Sequence, residues 1–563
     1  MIGGPRAAGF FVAACEPARS GGLPVARPLP QLASFLLALI AAHAGFAGAN
    51  TAPIADPAPV AAPPVDPVFV YTESPGPSAS SDQVDWPALI AARLEALRLR
   101  PRQLDAAAAA THKAQVLRHQ LALVLRRARG ARVGVHVRDL DSGAALFDHH
   151  GGELLNPASN QKLVTAIAAV ELLGPAYRFE TRVVRAGDDL ILIGEGDPSL
   201  QLPDLHALVS EVVAAGAHRG VRQILVDDTA FTADRFGPGY SPHGDGASYT
   251  APSGALSLGF NTAVVTIRPT DVGRPASVTL SPPGAHVQVH GRVRTGRGRP
   301  IDVTSHEHDG RTIFEVDGAL PGGHASVSVR RRVADPGLFT GHAFAEVLRE
   351  LTDQETALPV ARAAAPPGAL VVARHHSAPL AQVLGSSLKF SNNFTSEQVL
   401  RTLGWRMSGE PGSWEHGVAA VTAVWQAFGL DPADLHIENG AGLSRTGRVS
   451  PRALVALLAH TRDEGSPAAA LLPALASAGG EGTLRGRLTA QGSRVRGKTG
   501  TISGVSALSG VAASPDGRDA LGFSILINGG DRPARSHRRL QDAVVLTLLG
   551  HLDARAREHR HAP

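Results

Sequence analysis

The sequence predicts an α/β (α+β) fold, an antiparallel sheet flanked by helices with a β-rich region inserted into it. Three observations carry this. A β-hairpin pattern near Val133 runs into an amphipathic helix, a long series of short alternating segments punctuated by Gly and Pro follows, and helical patterning then returns and closes with three strand-like runs and an apolar helix. A sheet begun near Val133 and finished close to the other end explains why the inserted region follows the first helix so directly.

A chain of 563 residues exceeds one ordinary domain. The formal charge of +4 is small for this length, and no basic face interleaved with aromatics occurs, so nucleic acid is not an expected partner. The single cysteine, Cys15, lies upstream of the predicted folded region. That excludes a cysteine nucleophile and a cysteine-based metal site, and suits an oxidising compartment.

Residues 1–49 read as an export segment. Arg6, Arg19 and Arg27 precede an apolar stretch at 32–46, and Ala47-Gly48-Ala49 offers small residues for cleavage after Ala49. The alternative is that the stretch is retained as an anchor, and Val12-Ala13-Ala14-Cys15 superficially matches a lipoprotein processing site. Residues 50–83, rich in Pro, Ala and Ser, read as an extended tether.

Residues 84–180 carry two helices and the first part of the main domain. Asp85 caps a helix through Leu89, Leu94 and Leu97, and a second helix runs over 116–125; together they fit either a stalk or packing helices. Alternation at Val133, Val135 and Val137 and a turn at Asp141-Ser142-Gly143 make the hairpin. Residues 181–340 hold the inserted β-rich region, one or two small modules with strands at 190–193, 224–226, 264–267, 278–280, 287–289, 313–316 and 327–329. Residues 341–553 complete the main domain, with strands at 495–501, 505–511 and 521–527 and a helix at 540–549, and 554–563 reads as a frayed polar tail.

The chemistry starts at Asn156-Pro157-Ala158-Ser159-Asn160-Gln161-Lys162. Asn156 fits an N-cap and Pro157 the first helical position, which puts Ser159 at the positive end of the helix dipole. Lys162 follows one turn later on the same face. A neutral lysine there is the base that makes the serine a nucleophile, the Ser-Lys variant of triad logic. Alone the pattern is weak, since Ser386-Ser387-Leu388-Lys389 is a second copy and a helix start that happens to carry a lysine explains either.

Two further segments change the balance. Ser391-Asn392-Asn393 precedes an apolar helical run, giving either a proton-relaying hydroxyl with a substrate-holding amide or a plain N-cap. Lys498-Thr499-Gly500-Thr501 opens a strand where a cation and hydroxyl bind a carboxylate, and the bare Gly500 lets substrate backbone lie along the edge.

Ser-x-x-Lys, Ser-x-Asn and Lys-Thr-Gly in this order form the set of β-lactamases and penicillin-binding proteins. With Pro157-Ala158-Ser159, Asn439-Gly440-Ala441-Gly442-Leu443-Ser444-Arg445, residues 479–484 and Gly497-Lys498-Thr499-Gly500-Thr501, the chain resembles class C low-molecular-mass penicillin-binding proteins, the D-alanyl-D-alanine carboxypeptidase/endopeptidases. The resemblance covers 132–552, including the long insertion between the first two motifs.

It implies a serine transpeptidase/β-lactamase-like domain with no cofactor and no metal, acting in the periplasm or extracytoplasmic wall space. Peptidoglycan stem peptides would be its substrates and β-lactams its covalent inhibitors. By the same resemblance Ser159 attacks the D-Ala-D-Ala carbonyl with Lys162 as base, Ser391 passes the proton to the leaving amine and Asn393 holds the peptide amide. Lys498 with Thr499 faces the terminal carboxylate, and the backbone N–H groups of Ser159 and Thr501 hold the oxyanion. It also assigns Asp227 and Phe231, in Val226-Asp227-Asp228-Thr229-Ala230-Phe231, and Arg445 to the amino end of the stem-peptide diamino acid. Ala441, where serine is common, and Ser503, where some relatives place glutamine, depart from the pattern.

Rival readings are weaker. Residues 492–499 satisfy GxxxxGK[ST] letter for letter, but a polar segment precedes them and a strand-like one follows, the reverse of a nucleotide-binding loop. A β-lactamase must deacylate quickly, and no Glu-x-x-x-Asn segment of the class A kind is found. The three intact motifs argue against a non-catalytic wall-binding protein. His306-Glu307-His308 and His375-His376 lack the i, i+4 spacing of a zinc helix and read as exposed loop histidines.

Overall fold

In the computed structural model, residues 84–99, 112–128, 130–463, 465–530 and 532–561 are described, and the export, anchor, lipoprotein and tether readings of 1–83 lie outside them. Asp85 caps α1 (Trp86–Leu99), its Oδ1 accepting from Ala88 N–H at 3.0 Å, and Trp86, Ile90 and Leu97 share its buried face. α2 (His112–Leu125) buries Ala114, Leu117, Leu121 and Leu125, the i, i+3, i+7, i+11 stripe of a helix lying on a core. Both are packing helices; neither is a stalk. β1 (Arg132–Asp139) is buried from Val133 onward on both faces, and β2 (Ala145–His149) pairs with it antiparallel. α3 (Gln161–Leu173) is buried at every position, as befits a helix whose apolar residues run all round.

The chain then leaves this layer through β3 (Glu180–Ala186), β4 (Asp189–Gly194), α4 (Leu202–Ala214) and β5 (Gln223–Asp227). Six strands follow: β6 (Thr262–Arg268), β7 (Ser277–Ser281), β8 (Val287–Thr295), β9 (Asp302–His308), β10 (Arg311–Leu320) and β11 (Val327–Arg332). α5 (Pro336–Leu351), β12 (Val360–Arg362) and β13 (Leu370–His376) complete the excursion. Its five-stranded sheet has the order β12-β5-β4-β3-β13, and two three-stranded sheets, β8-β10-β9 and β11-β6-β7, share its core.

β4 pairs parallel with β5 and β5 with β12, connections that need crossovers, and α4 supplies the first. The inserted region is therefore α/β rather than purely β-rich. It also extends past the expected boundary at 340, because β13 pairs with β3 from Leu370↔Arg185 to His376↔Glu180. His306 and His308 stand on β9 and His375 and His376 on β13, so these histidines belong to strands and not to loops.

On return, α6 (Leu380–Phe390), α7 (Asn393–Ser408) and α8 (Trp414–Ala427) pack around α3. A two-stranded ladder of β14 (Leu435–His436) and β15 (Arg448–Val449) leads to α9 (Pro451–Ala459). β16 (Ala476–Ser477), β17 (Val495–Ile502), β18 (Val505–Ala513), β19 (Ala520–Asn528) and α10 (Ala534–His561) end the chain. The main sheet has the order β16-β17-β18-β19-β1-β2 and is antiparallel throughout, with β1 aligned on β19 from Arg132↔Asn528 to Asp139↔Leu521.

Helices cover both faces of this sheet. α3 and its neighbours form one core, while Leu540, Val544, Val545, Leu548, Leu549 and Leu552 of α10 meet α2 on the other. Each such side chain contributes about 1.5–3 kcal/mol of transfer free energy. α10 is helical as far as His561, and Arg555 pairs with Asp139 and Asp519, so residues 554–561 are a continued helix and not a frayed tail. Among the described residues no helix is long and apolar enough to cross a membrane.

Candidate active site

The start of α3 is built by side chains that take over backbone partners. Asn156 Oδ1 accepts from Ala158 N–H at 2.8 Å, its Nδ2 donates to the carbonyls of Ser444 and Arg445, and a 3₁₀ turn at Ala158–Asn160 precedes the α-helix. The helix proper therefore opens at Gln161, two residues after Ser159. Ala158 adopts φ 45°, a strained conformation for a residue with a Cβ, immediately before the serine.

β17 runs against this turn. A Cβ on Gly500 would come 2.8 Å from Pro157 O and 3.0 Å from Ser159 N, so the bare glycine admits the serine turn itself; the strand edge open to substrate is a separate feature. The Asn160 amide, oriented to donate to Lys498 O and accept from Ser509, ties β17 and β18 to the same turn. Outside β17, β16 pairs only with Arg496 and Gly497. Val495 O accepts from Ala478 N–H on that side, so alternation turns the backbone of Thr499 and Thr501 to the same edge, beyond the end of β16.

Three motif segments converge here. Lys162 Nζ lies 3.0 Å from Ser159 Oγ, 2.8 Å from Asn393 Oδ1 and 2.7 Å from Ala441 O. Lys498 Nζ lies 2.9 Å from Ser391 Oγ and 2.7 Å from Thr499 O. Asn393 is fixed in orientation because its Nδ2 donates to Tyr249 O at 2.9 Å. Asn392, between the two functional side chains, is the N-cap of α7, accepting from Thr395 N–H, while Ser391 takes a left-handed φ of 63° at the junction with α6. The second Ser-x-x-Lys is spent locally: Ser386 Oγ donates to Val383 O and Lys389 pairs with Glu481. Lys498 and Thr499 sit inside a strand, which is not the geometry of a nucleotide-binding loop.

Both lysines are enclosed, Lys162 at 1% and Lys498 at 0% exposure. Burial brings the Lys162 ammonium down to about 7, against an opposing pull from Glu397. Burial, then repulsion from Lys162, holds Lys498 well below the usual lysine range. A neutral amine has two N–H bonds and one lone pair. With Asn393 Oδ1 and Ala441 O as fixed acceptors, both N–H bonds of Lys162 are committed and its lone pair is left for the Ser159 hydroxyl proton.

The family model for D-Ala-D-Ala carboxypeptidase 3 (S13) matches residues 117–548. The chain belongs to this family. A D-alanyl-D-alanine carboxypeptidase of Actinomadura sp. (strain R39) is 35% identical over 455 residues, covering 76% of this chain and 83% of that one. The D-alanyl-D-alanine carboxypeptidase DacB of Haemophilus influenzae is 24% identical over 433 residues, covering 73% and 88%. The crystal structure of penicillin binding protein 4 from Haemophilus influenzae shares the fold, with a TM-score of 0.64 at 23% identity over 76% of this chain and 98% of that one.

Of the residues expected at the amino end of the stem-peptide diamino acid, two stand in the inserted region of this S13 chain and one on a loop beside the serine turn. Asp227 is buried in the inserted region, accepting from Thr229 N–H and Oγ1 and from Ala365 N–H. Phe231 packs beneath the Arg401 guanidinium, 4.5 Å from ring centroid to Cζ, and bridges to Gly412. Phe231 thereby helps hold the insertion to α7, while Asp227 orders the turn after β5 within the insertion. Arg445 is exposed on the neighbouring loop and contributes its carbonyl, through Asn156, to the serine turn. From the insertion, Tyr249 touches the site through its carbonyl and Tyr240 through a hydroxyl 3.0 Å from Glu397 Oε1. Glu397 and Asn160 were missed as well; the one signal was their place one turn after Asn393 and directly after Ser159.

Proposed function

We propose that this chain is an exported serine DD-peptidase that cleaves D-alanyl-D-alanine ends, and the cross-links that carry the same acyl donor, in peptidoglycan stem peptides. The observation that carries this is the three-point hold on Lys162, which leaves a near-neutral amine facing one hydroxyl.

Ser159 Oγ attacks the carbonyl of the penultimate D-alanine while Lys162 Nζ takes the hydroxyl proton. The backbone N–H groups of Ser159 and Thr501 face the developing oxyanion, a contribution of typically ~3 kcal/mol per donor. Ser391, 2.9 Å from Lys498 Nζ, relays a proton to the departing amine, and the C–N bond breaks to leave an ester on Ser159. Lys498 and Thr499 receive the substrate carboxylate, whose charge restores the protonated form that burial disfavours. Water then hydrolyses the ester along the same path. β-Lactams mimic the acyl donor but tether the leaving amine, so the ester persists.

Intact-mass measurement with benzylpenicillin tests this. One adduct on the wild type and none on Ser159→Ala is expected, together with D-alanine release from a D-Ala-D-Ala pentapeptide. An adduct that survives Ser159→Ala places the nucleophile elsewhere.

A further inference from the structure

Glu397 lies one turn beyond Asn393 on α7, 2% exposed, behind the lysine that faces Ser159. Its carboxylate collects four donors. Tyr240 Oη at 3.0 Å and Ala441 N–H at 2.9 Å reach Oε1, while Trp414 Nε1–H at 2.7 Å and Gly440 N–H at 3.0 Å reach Oε2. Burial pushes the Glu397 carboxyl up, and these four donors pull the other way by favouring the ionised form, which only accepts.

The backbone at 440–441 is thus held from its N–H side, and the Ala441 carbonyl emerges on the other side to accept from Lys162. Gly440 is needed for this fit, since a Cβ there would overlap the Ser396 carbonyl. The charged and titratable groups that face Glu397 are Lys162 of α3, Tyr240 of the insertion and Arg401 one turn along α7, with Lys498 of β17 acting on Lys162 from the far side. Two enclosed amines with no anion would both be driven to very low basicity, and a base much weaker than the working pH requires is a poor acceptor of a serine proton.

We propose that Glu397 is a positioning residue for acylation: its buried negative charge sets the basicity of Lys162, its grip on 440–441 aims the lysine lone pair, and Tyr240 links that carboxylate to the inserted region. The proposal rests on Ser159 being the nucleophile and Lys162 its base. A glutamine at 397 keeps the shape, removes the charge and turns two donors toward N–H groups that need an acceptor. Tyr240→Phe acts the same way more weakly, keeping the carboxyl group and removing one of the donors that favour its ionised form.

The measurement is the second-order rate of acylation by benzylpenicillin from about pH 5 to about pH 9, for the wild type, Glu397→Gln and Tyr240→Phe. Glu397→Gln is expected to lower the plateau on the order of 10- to 100-fold and to move the midpoint of the acid limb to lower pH. Tyr240→Phe is expected to move that midpoint in the same direction by a smaller amount. An acid limb unmoved in both variants overturns the proposal whatever happens to the plateau, because a merely structural glutamate would change the rate without changing the ionisation of Lys162. Should Glu397→Gln fail to fold, Tyr240→Phe decides alone, a downward displacement supporting the proposal and an unmoved or raised limb overturning it. Absence of acylation in the wild type at every pH would strike the peptidase reading itself.

Discussion

Ala158 and Ser391 hold positive φ angles of 45° and 63° at the two turns that aim hydroxyl groups into the crevice. Such a conformation costs a non-glycine residue roughly 1–3 kcal/mol, and the surrounding packing must over-determine it. Ser391→Gly separates the two effects: the melting temperature is expected to hold or rise as strain is relieved, while penicillin acylation falls on the order of 10²-fold or more with loss of the proposed relay hydroxyl. Lys162 gives a pH prediction. With Lys162 as the proposed base its neutral form is the active one, so acylation should rise about tenfold per pH unit below about 7 and level off above it. The same burial acts on stability. Between about 7 and the ordinary lysine value of 10.5 the unfolded chain binds a proton that the folded chain does not, so the site costs stability at neutral pH and the cost fades as pH rises. Lys162→Met is therefore expected to raise the melting temperature by at least about 2 °C at pH 7 while abolishing acylation, with a smaller gain at pH 9; a lower melting temperature at both values contradicts this. At this scale the sequence made Ser159, Lys162, Ser391, Asn393 and Lys498 legible, because their chemistry is tied to short fixed spacings. Glu397 was not legible, since a glutamate inside a helical pattern reads as a solvated residue until its four donors are seen.

Element by element, α7 organises the site. Asn393, Glu397 and Arg401 follow at i, i+4 and i+8 on one face and engage, in turn, the carbonyl of Tyr249, the hydroxyl of Tyr240 and the carbonyls of Thr232 and Asp234. Arg401 is sandwiched between the rings of Phe231 and Trp414 at 4.5 and 4.3 Å. Arg401→Leu leaves those carbonyls without their donor and is expected to make segment 232–253 the first site of chymotrypsin cleavage in a time course, ahead of any other loop. Glycines in β17 and the turn after it make a paired test. Gly500→Ala forces a methyl onto Pro157 O and Ser159 N and should cut acylation on the order of 10²-fold. Gly504→Ala meets nothing within 4 Å and bears only its φ of +76°, so acylation should stay near wild type. Strands β4, β5 and β17 to β19 were readable from apolar alternation. β3 was not, because Glu180 and Arg182 are buried by pairing with each other and with Glu195, so its buried positions look polar. β12, three residues long, offers no period to detect.

Taken as a whole, the molecule is one sheet opened to admit another. β1 and β2, near the start of the described chain, lie at one side of β19, and β18 and β17 at the other, so the layer under Ser159 is stitched from segments almost four hundred residues apart. Fold class and the return to the first sheet were visible because hydrophobic period switches type at each passage. The extent of the insertion was not, since β13 is recognisable only by its partner β3. α10 closes the face opposite Ser159, and removal of 534–563 would expose Leu540, Val544, Val545, Leu548, Leu549 and Leu552 together. Such a truncation is expected in the insoluble fraction and without a penicillin adduct in whatever remains soluble. The pairing of β1 with β19 carries one more implication. A ribosome releases the serine early, yet the strand that must lie beside β1 is among the last to be made. Until then the layer beneath the nucleophile lacks the strand that joins its two halves, so a growing polypeptide is expected to take up penicillin only once synthesis is complete.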